Sequence, residues 1–377
     1  MFGYTLDTLD ITLLSVLLLS SLIQLFYYFR YYIKVVLQSP RRETGRKKPV
    51  SVIICARNEA ENLKEFLPSV LEQDYPEFEA IVVNDCSEDN TTEILTSFLE
   101  NYSNLRVTTI HKDSSLGHSK KMALFIGIKA ASYDHLLLTD ADCKPASNKW
   151  MGLMMSGYSG EKEFVLGYGG YLKKRGLLNK YIRYDAMFIA LQYTGMALAG
   201  RPYMGVGRNL AYKKSLFFDN KGFGPHLNLQ SGDDDLFVNA LANKDNTSVV
   251  IDKNAYTLSL PSTRWISFSK QKMRHMSTSV YYRPSTKFLL GLEPVSRLIN
   301  YVLFFYLISQ LTIWPVTVAI FGITLISKLT ILFFAQKSLN ERDLLLFSPL
   351  FDIASLFLNG CFLIGARKNK YQSYEWK

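Results

Sequence analysis

The chain has 377 residues, enough for one large domain or two ordinary ones, and 48% of them are hydrophobic. The formal net charge is +10, but the cations gather beside an apolar run, so the charge points to a membrane surface and no nucleic-acid partner is expected. Four cysteines (Cys55, Cys86, Cys143 and Cys361) form no CxxC and no metal-finger spacing. That excludes a zinc finger and reads as small, buried, reduced side chains.

Ile11 to Phe29 is almost wholly apolar, about the length that crosses a bilayer. Arg30, Lys34, Arg41, Arg42, Arg46, Lys47 and Lys48 follow it, opposed only by Glu43. This stop-transfer pattern puts the next domain in the cytoplasm. A cleaved signal peptide would carry its cations before the run, where Asp7 and Asp10 stand, and would end in a small-residue cleavage site that is missing here. The reading is an uncleaved anchor over 1–33 and a basic linker over 34–48.

Pro49 to Ala56 is a short apolar, β-branched run and a buried strand by pattern. Glu61 to Gln73 has helical spacing at Leu63, Phe66, Leu67, Val70 and Leu71, with Pro68 inside it implying a kink. Glu79 to Asp85 is a second strand, "DNTTEILTSFLENY" a helix, and Leu105 to His111 a third strand. Ser119 to Ala131 is a helix with a face at Met122, Leu124, Phe125 and Ile128, and "HLLLTD" is a fourth strand. Such alternation predicts a parallel sheet with helices on both faces. Ligands of such sheets sit beyond the carboxyl ends of the strands. The residues to watch are therefore Arg57-Asn58-Glu59, Asn84-Asp85, His111-Lys112-Asp113 and Asp140-Ala141-Asp142.

In an extended segment, residues i and i+2 point the same way, so Asp140 and Asp142 converge. Two carboxylates that close need positive charge between them, and a divalent cation such as Mg²⁺ supplies it while also taking phosphate oxygens. The plainer reading is a solvated turn with a capping Asp. Asp85 ends its strand too directly to be explained by helix capping, and could accept hydrogen bonds from a base or ribose. No GxGxxG follows the first strand and no GxxxxGK[ST] occurs, so dinucleotide and P-loop readings have no support. Asp233, Asp234 and Asp235 precede an apolar periodic run; helix N-terminal charge explains one or two, and a third is surplus. A carboxylate among like charges can serve as a general base. Ser269 to Met276 sets Gln271, Arg274 and His275 on about one helical turn among apolar residues. That is an amphipathic basic helix suited either to a membrane interface or to phosphate.

Taken together, "VSVIICARNEAENL", "VVNDCSEDNT", "GHSKKMAL", "LLTDADC", "GDDDLF" and "QKMRH" come in the order seen in family 2 glycosyltransferases. The chain resembles these membrane-anchored enzymes over roughly 49–280, and is similar to cellulose synthase, hyaluronan synthase and ceramide glucosyltransferase catalytic domains. The resemblance implies an α/β GT-A fold with a mostly parallel sheet, a glycosyltransferase domain over 49–290, and a membrane region over 291–377. It implies a nucleotide-sugar donor, with UDP-sugar expected, a lipid or glycan acceptor, and a divalent cation, Mg²⁺ or Mn²⁺. Ala56, Arg57, Asn58, Glu59 and Asp85 match the nucleotide pocket, and Lys120 matches a lysine on its rim. Asp140 and Asp142 match the metal-binding DxD, with Asp142 favoured as the direct ligand. Asp234 matches the general base between Asp233 and Asp235. Gly205 falls in the loop "GVGRNLAY" that borders the acceptor. Gln271, Arg274 and His275 match the diphosphate and acceptor side. Two departures stand out. The DDGS-like run reads Asn84-Asp85-Cys86-Ser87, and the QxxRW tryptophan is His275, which weakens any claim to processive synthesis.

Leu298 to Phe334 allows two short spans turning near Trp314-Pro315, and Asp343 to Ala366 a third. Four spans in all would return the basic tail "RKNKYQSYEWK" to the side of the N-terminus, whereas the positive-inside rule favours a cytoplasmic tail. The expectation is a multi-pass protein of a bacterial inner membrane, with membrane lipids around it and a cytoplasmic catalytic domain. Two alternatives are a sugar nucleotidyltransferase and a catalytically degenerate membrane scaffold. The first is generally soluble with an early Gly-rich signature, and the retained Asp85, Asp140, Asp142 and Asp234 argue against the second.

Overall fold

The computed structural model describes residues 7–39, 47–111, 119–224, 229, 231–310 and 313–368. Arg41, Arg42, Glu43 and Arg46 of the basic linker, Lys112, Asp113, Gly117, His118 and the tail beyond Lys368 lie outside these residues.

Helix α1 (Thr8–Tyr27) runs through a π-helical turn at Tyr28–Tyr32 into α2 (Ile33–Leu37). Then β1 (Val50–Ala56), α3 (Ala60–Leu71), β2 (Phe78–Asp85), α4 (Thr91–Leu99), β3 (Leu105–Ile110), α5 (Lys120–Ala130) and β4 (His135–Asp140) alternate as expected. Every residue of β1 is buried, which explains its unbroken apolar run. Pro68 stays inside α3. Ser119 caps α5, its Oγ accepting from the Met122 N–H at 3.3 Å, and so sets Lys120 as the first helical residue. The buried face of α5 differs from the expected one. Ala123, Leu124, Gly127 and Ile128 face the sheet, while Phe125 is exposed. Gly127 decides this: a Cβ there would lie 2.7 Å from the Ile53 side chain, so the helix seats on β1 through its smallest residue.

The chain continues through β5 (Cys143–Pro145), α6 (Trp150–Met155), β6 (Phe164–Leu166), β7 (Gly169–Tyr171), α7 (Leu177–Leu198), β8 (Leu210–Lys213), α8 (Lys214–Asp219), α9 (Asp235–Leu241), β9 (Thr247–Val249), β10 (Thr257–Ser259) and α10 (Trp265–Ser277). The main sheet has the order β3-β2-β1-β4-β8-β6-β9, with β8 antiparallel to β4 and β6 and the other pairs parallel. Successive strands β2 and β3 lie to one side of β1, and β4 lies to the other. The order therefore reverses at β1, and that reversal opens a crevice beyond Ala56 and Asp140. A smaller sheet, β5-β10-β7, carries Cys143, Ser259 and Tyr171.

Helices α11 (Pro284–Ser309), α12 (Trp314–Ser338) and α13 (Ser348–Lys368) complete the described chain. Four segments are long and apolar enough to cross a membrane: Thr8–Leu37, Pro284–Ser309, Trp314–Ser338 and Arg342–Arg367. The boundaries differ from the sequence reading at both ends. The first helix continues past residue 33 and buries Tyr27, Tyr28, Tyr31, Tyr32 and Val35. A Cβ on Gly195 of α7 would stand 2.7 Å from the Tyr31 carbonyl oxygen, so the two helices approach backbone to backbone there. At the other end, α11 starts at Pro284 and runs straight through the expected boundary at 290.

Helix α1 packs against α11 and α12, whereas α13 packs against α10 and α7. Phe351 meets Tyr181 of α7 at 5.5 Å between ring centroids, Phe362 meets Phe268 of α10 at 6.0 Å, and Gly365 abuts Met273. A buried polar cluster joins these helices. Asp352 accepts from Arg297 Nη1 and Tyr301 OH, both at 2.7 Å, and from Lys328 Nζ. Tyr184 OH of α7 donates to the same carboxylate at 3.3 Å.

Candidate active site

The crevice wall on the β1 and β2 side is built from two cross-linked loops. Asn58 N–H donates to Ser87 Oγ at 2.9 Å, and Glu88 N–H donates to Asn58 Oδ1 at 2.8 Å. Glu59 N–H donates to Thr91 Oγ1 at 3.0 Å, and Ala60 N–H to Asp89 Oδ2 at 3.1 Å. Asn58 and Cys86 both have positive φ, 55° and 52°. Asn tolerates that region, and Cys86 stands where the related motif carries glycine, the residue that adopts it freely. The departure thus keeps the glycine-like backbone, with Cys86 N–H bonded to the Ile110 carbonyl at 3.1 Å. Ala56 and Asp85 are buried at the strand ends, Arg57 is half-buried, and Asn58 is exposed. Burial pushes the Glu59 carboxyl up to about 7; an Asn62 hydrogen bond opposes the shift, and Asp142 and Asp140 add to it.

Asp140 and Asp142 converge, but through the turn at Ala141-Asp142 between β4 and β5 rather than by alternation along one extended strand; their carboxylate oxygens and Cys143 Sγ all lie within 4.8 Å of one another. Lys120 Nζ bonds Asp140 Oδ1 at 2.7 Å. Burial alone would raise the Asp140 pKa, but the Lys120 charge and hydrogen bond hold it below the usual value. Asp142 has no ion pair among the described residues, although the Arg208 and Lys120 charges act on it. Burial and the Asp140 charge raise its pKa, and its one side-chain bond among the described residues is from Cys143 Sγ at 3.4 Å. Two hard carboxylate ligands this close, one of them without an ion pair, fit a divalent cation such as Mg²⁺ or Mn²⁺, which Asp142 and Asp140 would hold.

The third wall is the acidic triplet. Lys121, one residue beyond Lys120, donates to the carbonyls of Leu229 at 2.6 Å and Ser231 at 2.8 Å, and so anchors the approach to it. Asp234 accepts from the Gly207 N–H at 2.7 Å. Burial, then the Asp233 charge, pushes the Asp234 carboxyl well above its ordinary value, against Lys120. Asp233 is buried, and its Oδ2 has no hydrogen-bond partner among the described residues. Asp235 is separated from its neighbours. It accepts from Thr278 Oγ1 at 2.5 Å and Tyr282 OH at 2.6 Å, and so ties α9 to the segment after α10. Gly205 is buried beside Leu210 and Leu166, two residues before the Gly207 N–H that bonds Asp234.

Helix α10 closes the site. Lys272 is buried on Asp185 of α7, at 2.8 and 2.6 Å to its two oxygens, which fixes the helix. Gln271 and Arg274 are half-buried, His275 is exposed, and Arg274 Nη2 lies 3.2 Å from His275 Nε2. The Arg274 charge acts on Asp140.

Two site residues escaped the sequence reading. Cys143 is indeed buried, yet its thiol stands beside the carboxylate pair rather than in an inert core, while Cys86 is half-buried and Cys361 exposed. Arg208 sits inside "GVGRNLAY", its guanidinium 4.4 Å over the Tyr171 ring and its charge acting on Asp140 and Asp142. The lone cation in a glycine-bearing loop was its only signal.

Residues 51–217 match the family described as Glycosyl transferase family 2. That stretch is less than half of the chain, and over it the chain is similar to family 2 glycosyltransferases. The match ends before Asp233, so the triplet and α10 lie beyond it. Poly-beta-1,6-N-acetyl-D-glucosamine synthase of Staphylococcus epidermidis is 37% identical over 102 residues, 27% of this chain and 24% of that protein. A probable glycosyltransferase, YdaM of Bacillus subtilis, is 33% identical over 147 residues, 38% of this chain and 35% of that protein. The matched stretches thus span about a quarter to a third of these curated relatives. The solved mannosyltransferase PcManGT of Pyrobaculum calidifontis, in complex with GDP-Man and Mn²⁺, has 19% identity and a TM-score of 0.59 over 96% of this chain and 100% of that one. This likeness concerns the fold, and it extends from the glycosyltransferase domain into the flanking helices.

Proposed function

We propose that the chain transfers a sugar from a nucleotide-diphosphate sugar, with inversion, to a lipid or glycan acceptor at the cytoplasmic face of a membrane. The observation that carries this reading is a shared cation. Lys120 bonds Asp140, and the Asp233 and Asp234 charges act on it as well, so the metal-type pair and the base candidate belong to one cluster at the sheet's switch point.

Asp234 takes the proton from the acceptor hydroxyl as that oxygen attacks the anomeric carbon, and the bond to the leaving diphosphate breaks. The Gly207 N–H holds the carboxylate in place for this. A single in-line displacement inverts the anomeric centre. A divalent cation at Asp142 and Asp140 would supply Lewis-acid stabilisation of the leaving diphosphate. Arg274 adds positive charge on that side. The cross-linked loops after β1 and β2 form a stiff pocket for the nucleotide, which saves ordering entropy on binding. UDP-sugar is the donor this reading favours, following the match of Asp85.

The membrane reading places α1, α11 and α12 across the bilayer. Helix α13 touches the catalytic domain at Phe351, Phe362 and Gly365, along most of its length. Its opposite stripe of Leu350, Phe357 and Ile364 is exposed and apolar. That supports an interfacial α13 and three crossings, which return the basic tail to the cytoplasm.

The test is a screen of radiolabelled nucleotide sugars on membranes that express the protein, followed by extraction into organic solvent. Label in the organic phase supports a lipid acceptor, and label in a polymer supports a glycan. No product with any donor counts against the transferase reading.

A further inference from the structure

We infer that Arg208 is a diphosphate-binding residue, a second cation that grips the leaving group opposite Lys120 and Arg274. The assignment rests on the transferase reading above.

The geometry is that of a guanidinium fixed beside the carboxylate pair but not consumed by it. Its plane lies 4.4 Å from the Tyr171 ring centroid, and Nη1 reaches the Gly170 carbonyl and Ser259 Oγ, both at 3.3 Å. Ser259 Oγ is 2.8 Å from Cys143 Sγ, which in turn is 3.4 Å from Asp142 Oδ1. A chain of three short contacts therefore links Arg208 to the metal-type carboxylate. Behind it, the Arg208 carbonyl accepts from Thr257 Oγ1 at 2.8 Å, and a Cβ on Gly169 would come within 3.0 Å of the Arg208 side chain. Gly169 thus makes room for the arginine, and Tyr171 carries it.

Nε and Nη2 have no hydrogen-bond partner among the described residues. A half-buried arginine usually spends its fork on a carboxylate, and two carboxylates stand next to it. Yet Asp140 bonds Lys120, and Asp142 bonds only a thiol. A divalent cation on that pair would be repelled by a neighbouring guanidinium unless an anion lay between them. A diphosphate satisfies both: its oxygens meet the cation on one side and the planar donor edge of arginine on the other.

The test uses the full-length protein in detergent and calorimetric titration with UDP and GDP in the presence of Mn²⁺, with UMP and GMP as controls. Arg208→Ala should weaken the diphosphate that wild type binds by about 10- to 100-fold, the loss of a charged hydrogen-bond pair. Its matching monophosphate should change by less than about threefold, and binding of Mn²⁺ alone should be retained. Arg208→Lys should fall between, because charge returns without the fork. Equal losses for monophosphate and diphosphate would mean a structural role and overturn the assignment, as would an unchanged diphosphate affinity in Arg208→Ala. If wild type binds neither diphosphate, the transferase reading itself fails, and the result is distinct from a failure of Arg208 alone.

Discussion

Asp234 and Gly207 are in contact so close that no side chain fits between them. The Gly207 N–H donates to Asp234 Oδ2 at 2.7 Å, and a Cβ on Gly207 would stand 2.3 Å from that same oxygen. The loop between α7 and β8 therefore exists, at this point, as a backbone seat for one carboxylate. Gly207→Ala should push Asp234 out of place. The expected result is a loss of transfer of two orders of magnitude or more with nucleotide affinity kept, since misplacement by about 1 Å can cost that much. Steady-state kinetics beside nucleotide titration checks it.

The acidic limb of the reaction should lie above the ordinary carboxylate range. Asp234 must be ionised to accept a proton, and burial with Asp233 beside it raises its pKa. Activity is then lost as pH falls through that raised value. Asp233→Asn removes the like charge, so the limb of the kcat/KM profile should move to lower pH. A limb that stays put in this variant would exclude Asp234 as the titrating group.

Stability should carry the same signature with opposite consequence. A carboxyl whose folded pKa is raised binds its proton more tightly in the folded state. Stability is therefore lost as pH rises from the ordinary carboxyl value through the raised one. Asp234→Asn, which cannot ionise, should show a Tm at neutral pH equal to or above wild type while being inactive. Thermal melts across pH 4–9 (the range chosen to cover both values) would read this directly.

The buried pair Lys272–Asp185 should be structural. Asp185→Ala leaves an ammonium buried without its partner, at a cost of about 3–5 kcal/mol. The double variant Asp185→Leu, Lys272→Met should recover most of that loss. Melts of the three variants decide it.

The topology reading predicts a cytoplasmic C-terminus. A fluorescent-protein fusion after Lys377 should fluoresce, and an alkaline phosphatase fusion there should be inactive. An active phosphatase fusion would mean that α13 crosses the membrane.

Much of the fold was legible because the parallel strands are buried on both faces. β1 is rich in β-branched residues, Val50, Val52, Ile53 and Ile54, and every one of its residues is buried. Asp140 and Asp142 were legible as a carboxylate pair at a strand's end, although it is the turn at Ala141-Asp142, not period-two alternation, that brings them together. What was hidden depends on approach from far away in sequence. Phe125 belongs to the helical period of its segment, yet Gly127 sets which face of α5 meets β1. Asp235 looked like a third catalytic carboxylate until Thr278 and Tyr282 arrived from beyond α10. Lys120 pairs with Asp140 across twenty residues, and Arg208 reaches the site only through Tyr171 and Ser259. The end of the first apolar helix was hidden for another reason: the chain stays helical past Phe29 because Tyr31, Tyr32 and Val35 are buried.

The most direct measurement compares wild type with Asp234→Asn and Asp142→Ala in purified, detergent-solubilised form, supplied with nucleotide sugar and Mn²⁺. Donor turnover and donor binding are followed in the same preparations. The account predicts that Asp234→Asn binds the donor about as tightly as wild type and turns it over at least 10³-fold more slowly, within the range for loss of a general base. Asp142→Ala should lose the Mn²⁺-dependent part of binding itself. Near-wild-type turnover by Asp234→Asn, or Mn²⁺-dependent donor binding that survives in Asp142→Ala, would contradict it.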